Sequence, residues 1–300
     1  MYSAEVARIA PLSRDQSTVL VKLSLAAAIT HGFTVAYDRG VALVSTDSSG
    51  AVLGLSNLAR TVAQHDRSEW PRLIEEHFGC LARQLRQGPP APPADPVNEL
   101  IQRLVPRDAL PADWTADRPD FLPGLVAVPA TINDGTVTMY LDPADLGLTW
   151  SAADSFGLAN LQKLAAHVEH EEIHGVGITF VTGTSFAASK ALVLDTVLRD
   201  SLNVEAPQYG VLAALPTRDV LMLHVVEDLS VISALGHLLN LAARSHATGQ
   251  GPLTPAVYWV SPEQTWHPAT AASPNRTSLR LSPNIEALTR DLAAREESSR

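Results

Sequence analysis

Cysteine is the first scarcity: Cys80 stands alone in 300 residues. One thiol excludes an intramolecular disulfide framework and any cysteine-rich zinc site. It follows Ile74 and Phe78 in an expected helix, with no histidine or cation arranged beside it, so a buried, inert thiol is expected. The opening MYSAEVARIAPLSRD has no basic region leading into an apolar core, so no secretory signal is expected. The longest apolar run, VLVKLSLAAAIT, is interrupted by Lys22 and is too short to span a bilayer. Without a signal the sequon Asn275-Arg276-Thr277 carries no meaning, and a cytoplasmic setting without a membrane partner is expected. No cluster of Lys or Arg forms a stripe, and the formal net charge is −10, which repels nucleic acid and favours a basic partner.

Catalytic signatures are missing as well. G-x-S-x-G is absent, so there is no nucleophile elbow, and G-x-x-x-x-G-K-[ST] is absent, which removes an ordinary P-loop. No G-x-G-x-x-G lies between a strand and a helix with an acid downstream. Gly175-Val176-Gly177 and Thr182-Gly183-Thr184-Ser185 could offer amides to a phosphate at a helix start, but a strand end and an N-cap at Ser185 explain them more simply. No catalytic residue and no cofactor are assigned. His224, among apolar strand residues, and His237, in an apolar helix, read as core or boundary imidazoles. Trp259 and Trp266 read as packing residues.

What is present belongs to a folded protein, with 46% hydrophobic and 18% charged residues. A helix is expected over residues 18–30, then three short strands (FTVAY, VALVST, AVLGL). Their separators, Asp38-Arg39-Gly40 and Asp47-Ser48-Ser49-Gly50, are turn chemistry for an antiparallel meander. Helices follow from Asn57 and near Ser68, the second carrying Trp70, Leu73, Ile74, His77, Phe78 and Leu81 at helical spacing. QGPPAPPADP holds five prolines in ten residues and marks a linker. The expected organisation is an N-terminal unit over 1–86, the linker over 87–96, a C-terminal domain over 97–270 and a tail with a terminal helix over 271–300. In the second half, VNELIQRLV reads as a helix, LVAVPATINDGTVTMYLD as a hairpin, residues 152–166 as a helix, and GITFVT as a strand. Beyond them come a helix capped by Ser185, a hairpin turning at Pro216-Thr217-Arg218-Asp219, a helix over 229–246, and a strand pair, AVYWV with TWHPA. The fold class is α+β, with mostly antiparallel sheets built from hairpins and helices packed on them.

His170-Glu171-Glu172-Ile173-His174 matches H-E-x-x-H, whose chemistry needs both imidazoles on one helical face with the Glu as base. The apolar face of the preceding helix, Leu158, Leu161, Leu164 and Val168, runs into glutamates at 171 and 172, and then into Gly175-Val176-Gly177. The helix therefore ends near His167, and a solvated acidic connection is expected. Phe180 stands where the extended motif would place a third histidine ligand. Arg218 and Asp219 draw more interest, as a polar pair at the tip of a strongly apolar hairpin.

Several segments resemble the bacterial YtpQ-like family, a domain of unknown function. These are LGLTW followed by GLANL, then YGVLAALPTRDVLMLH, GPLTPAVYW and the early VLGLSNLARTV. The resemblance spans roughly residues 40–265 and is most specific at Pro216, Arg218, Asp219, Asn160-Leu161 and Gly251-Pro252-Leu253, with Thr217 in place of an expected serine. It implies a shared fold and a cytosolic bacterial setting, brings no catalytic residues, and associates no H-E-x-x-H motif. The leading expectation is a non-enzymatic binding protein, an adaptor or toxin-neutralising type, that engages a basic protein. Arg218, Asp219 and Asn160 are its candidate contact residues. One alternative is a zinc hydrolase using His170, Glu171 and His174. Another is a small-ligand or nucleotide-binding module around Arg218 and Asp219.

Overall fold

A computed structural model describes residues 6–38, 40–46, 52–87, 92–110, 118–133, 136–271 and 280–298. Arg39, the turn at 47–50, the hairpin tip at 134–135, the sequon at 275–277 and residues 88–91 of the proline-rich stretch lie outside the described residues. The chain divides into two compact units, residues 1–91 with 247–250, and residues 92–246 with 251–300.

The first unit opens with α1 (Arg14–Thr30), which starts one turn earlier than its apolar periodicity suggested. The reason is a capping box. The Gln16 N–H donates to Ser13 Oγ at 3.3 Å, and the Ser13 N–H donates to Gln16 Oε1 at 2.9 Å. The expected meander follows as β1 (Val35–Tyr37), β2 (Ala42–Ser45) and β3 (Val52–Gly54), paired antiparallel in chain order. Then come α2 (Ser56–Ala63) and α3 (Trp70–Gln87). Leu20 and Val21 of α1, Leu43 of β2, Leu58 of α2 and Trp70, Ile74 and Phe78 of α3 form one core. The helix expected near Ser68 begins at Trp70, so Ser68, expected as its N-cap, lies one residue too early for that position. Cys80 is exposed on α3, not buried as expected, because the core face passes through Ile74 and Phe78 and position 80 turns outward.

The second unit begins with a correction. The expected helix VNELIQRLV is one turn, α4 (Pro96–Glu99), capped by Asp95, followed by a strand, β4 (Ile101–Pro106). Leu100 already has extended backbone, and a short run of this kind fits either period. Pairing decides it, since β4 aligns residue by residue with β5 (Leu125–Asn133), from Ile101↔Ala130 to Pro106↔Leu125. β5 continues into β6 (Thr136–Met139) as the expected hairpin. Helix α5 (Trp150–Lys163) is capped by Thr149 and fixed to β4 by Gln102, whose Nε2 donates to Asp154 Oδ1 at 2.7 Å.

Six antiparallel strands make the main sheet. They are β7 (His167–Ile173), β8 (Val176–Thr182), β9 (Val211–Thr217), β10 (Val220–Val225), β11 (Val257–Val260) and β12 (Trp266–Pro268). Their spatial order is β12-β11-β9-β10-β8-β7. Alternate residues serve opposite faces. Val211, Ala213, Leu215, Leu221 and Leu223 pack with Leu194, Val197 and Leu198 of α6 (Leu194–Leu202). Leu212, Ala214 and Met222 pack with α7 (Val231–Thr248) through Ala234, Leu235 and Leu238. They also meet the terminal helix α8 (Pro283–Ser298) through Ile285, Leu288 and Leu292, so that helix belongs to the core rather than to a tail. Ser185 caps nothing. The segment runs as a 3-10 helix over Ala188–Val193 before α6 begins, and Thr184 Oγ1 accepts from the Phe186 N–H instead.

The acidic segment at 167–173 is neither helix nor loop. It pairs with β8 along its whole length, from His167↔Thr182 to Ile173↔Val176. His174 and Gly175, at φ 51 and 80, form the tight turn between the two strands. Glu169, His170, Glu171 and Glu172 are exposed on this edge strand, where charge discourages edge-to-edge pairing. The pattern hid the strand because an edge strand needs little apolar alternation.

Candidate functional site

Arg103 lies on β4, opposite Val128, and is 8% exposed. Its guanidinium carbon stands 5.1 Å from the centroid of the buried Phe186 ring. Its Nη1 is enclosed and has no hydrogen-bond partner, and among the described residues no carboxylate pairs with it. Loss of hydration pushes its pKa down to about 10; the nearby positive charge of Arg218 adds to the drop and Asp219 opposes it. A buried cation with no carboxylate in direct contact is costly to hold, and Asp219 and the Phe186 ring offset that cost only in part.

The second guanidinium is held from both sides. β9 and β10 meet with Thr217↔Val220 opposed, so the turn itself is Arg218-Asp219, narrower than the four residues expected. Arg218 Nε donates to Asp219 Oδ1 at 3.2 Å. The Arg218 N–H donates to the Gly251 carbonyl at 2.9 Å, and the Arg218 carbonyl accepts from the Ala188 N–H at 3.1 Å. The segment after Gly251 is sewn onto the end of β9. The Leu253 N–H donates to Pro216 O at 2.9 Å, and a bridge joins Thr217 to Pro252. Gly251, at φ +57, lies so close that a Cβ there would sit 2.6 Å from Arg218 Cδ.

Arg218, Asp219, Pro216 and Gly251-Pro252-Leu253, distant in sequence, therefore converge, and Arg103 joins them within electrostatic range. Asn160 has a different task. It is buried on α5, and its Nδ2 donates to the carbonyls of Val97 and Leu100 at 2.7 and 2.9 Å, a clasp on the chain entering β4.

The residues of the zinc alternative are spread along a hairpin. His170 Nδ1 and Thr179 Oγ1 are 2.9 Å apart, and the His174 ring stacks on His237 with centroids 5.4 Å apart. Extended chain rising ~3.3 Å per residue sets positions four apart about 13 Å from each other, far beyond a shared ion. Among the described residues, no group of three or more His, Cys, Asp or Glu is arranged to hold a metal. His224 is buried, with Nδ1 2.8 Å from the Gly177 carbonyl. Trp259 Nε1 donates to Tyr209 O at 2.9 Å, and Trp266 packs edge-on against Phe121. Compared with family models, with curated proteins and with solved structures, the chain gives no match.

Proposed function

We propose that the chain is a binding protein whose ligand carries an anionic group, a phosphate or a carboxylate, received by Arg103 with Arg218 beside it. One observation carries this reading: among the described residues Arg103 is buried with no carboxylate in direct contact, although the chain has ten more acids than bases to supply one. The planar guanidinium fork matches oxyanions in geometry as well as charge. Net charge steers at long range, but the enclosed group decides what docks, so the local cation outweighs the acidic surface in choosing a ligand. Binding is favoured over a reaction because the charged groups grouped here are two guanidinia and Asp219, which is already engaged by Arg218.

The test is calorimetric titration of the full chain with inorganic phosphate and with citrate. Saturable binding that is lost in Arg103→Met, a variant that still folds, supports the reading. Equal affinity in wild type and variant, or no binding of either anion, overturns it.

A second reading has its own observation. The exposed glutamates of β7 line a sheet edge, unpaired among the described residues, that would suit an extended basic segment added as a further strand. Titration with a lysine-rich peptide, compared with a Glu169→Gln/Glu171→Gln variant, checks it.

A further inference from the structure

Arg103 is not the only cation buried in the second unit. Lys190, on the 3-10 stretch Ala188–Val193, is 6% exposed, and no carboxylate touches its ammonium among the described residues. Its Nζ donates to the carbonyls of Leu161 and Gln162 at 2.8 and 3.3 Å, closing the last turn of α5. That role would suffice to explain a lysine here. It does not explain what lies beside it.

Lys190 lines a cavity of ≈ 170 Å³ together with Thr196, and Leu164, Val181 and Val197 form its apolar wall. Thr196 is 7% exposed, and its Oγ1 is enclosed with no hydrogen-bond partner. An enclosed hydroxyl left unpaired costs free energy, which an acceptor that reached it from the adjoining cavity would recover. Asp200 also lines the cavity; it is paired with Arg199 at 2.9 Å and supports the ammonium only at longer range. The cavity thus sets the Lys190 ammonium, a Thr196 hydroxyl unpaired among the described residues and an aliphatic wall beside the Arg199-paired Asp200.

We propose that this cavity binds a short-chain aliphatic monocarboxylate. The ligand's carboxylate would meet Lys190 Nζ and Thr196 Oγ1, and its alkyl chain would lie against Leu164, Val181 and Val197. Charge selects a monoanion, because a second negative charge would find no second cation and would face Asp200. Size selects a small acid. At ~30 Å³ per water the space equals about five or six waters, the bulk of an acid with about as many heavy atoms. The site is separate from the Arg103 pair, since neither Arg103 nor Arg218 lines the cavity.

The experiment is calorimetry and thermal melting of the full chain with acetate, propionate and butyrate, and with inorganic phosphate titrated into Arg103→Met, which lacks the other anion site, as the charge control. Propionate and butyrate are expected to bind and raise the melting temperature, with acetate weaker. Thr196→Val keeps the shape and removes only the unpaired hydroxyl. It should melt no lower than wild type without ligand and bind butyrate at least about tenfold more weakly. Arg103→Met should bind butyrate as wild type does, which separates the two sites. The proposal fails if no acid shifts the melting temperature at millimolar concentration, if Thr196→Val binds butyrate unchanged, if phosphate binds in the cavity as well as butyrate does, or if Arg103→Met abolishes butyrate binding. Lys190→Met should also abolish it; should that variant not fold, Thr196→Val alone decides.

Discussion

Arg218 and Gly251 are joined twice, once by the 2.9 Å hydrogen bond from the Arg218 N–H to the Gly251 carbonyl, and once by a side-chain approach that leaves no room for a methyl group. The hydrogen bond fixes the hairpin tip, and the approach sets the direction of the guanidinium. Gly251→Ala therefore combines a disfavoured positive φ with a 2.6 Å clash. It should destabilise the chain by about 1 kcal/mol or more, read from denaturant unfolding. In the folded fraction, phosphate affinity should fall even though Arg103 is untouched.

Arg103→Met tests a different signature. Replacing a buried cation that has no carboxylate in direct contact with a hydrophobic side chain of similar length should stabilise the ligand-free chain, by roughly 1 kcal/mol or more. Anion binding should disappear at the same time. Opposite signs in stability and affinity separate a ligand-binding arginine from a structural one, whose removal would lower both.

The edge of the main sheet makes a third expectation. Glu169 and Glu171 project from the same face of β7, both exposed. A Glu169→Val/Glu171→Val variant turns this edge into a flat apolar strand and should self-associate as concentration rises, seen by light scattering. A variant that stays monomeric would mean that the backbone edge, not its charge, is what prevents pairing.

Asp120 supplies a pH dependence. Its carboxylate accepts from the Gly124 N–H at 2.8 Å and from Arg107 Nε at 2.7 Å, and these bonds, the first foremost, hold its pKa below the ordinary 3.8. A depressed carboxylate stabilises the fold above its unfolded value, and that contribution is lost as pH falls through the folded one. The stability difference between wild type and Asp120→Asn should thus be present at neutral pH and should vanish in acid below the ordinary carboxylate range. A difference independent of pH would assign the effect to shape alone.

Much of the fold was legible because its strands either alternate or run fully apolar between clear turn residues. The meander at 35–54 and the hairpin at 211–225 both came from such turn chemistry. Reading failed where two periods fit equally. LIQRLV satisfies a helix as well as a strand, and only its partner across the sheet, Val126 to Ala130, decides. It failed again at HVEHEEI, where the edge position excuses the strand from carrying apolar residues. The site was half legible for the same reason. Arg218 and Asp219 stood out as a polar tip, but Arg103 was hidden by the misread helix, and no local pattern reveals that its charge is buried with no carboxylate in direct contact. A charged residue inside an apolar run next to a β signal was the available hint.

All seven side chains of β9 are buried, three layers of contacts deep from α6 across the sheet to α7. Arg218 follows that strand directly, so the hairpin tip is carried by a fully buried strand instead of by a long loop. An anion arriving there would have little chain left to order, and the entropy normally surrendered on docking would already have been settled when the protein folded.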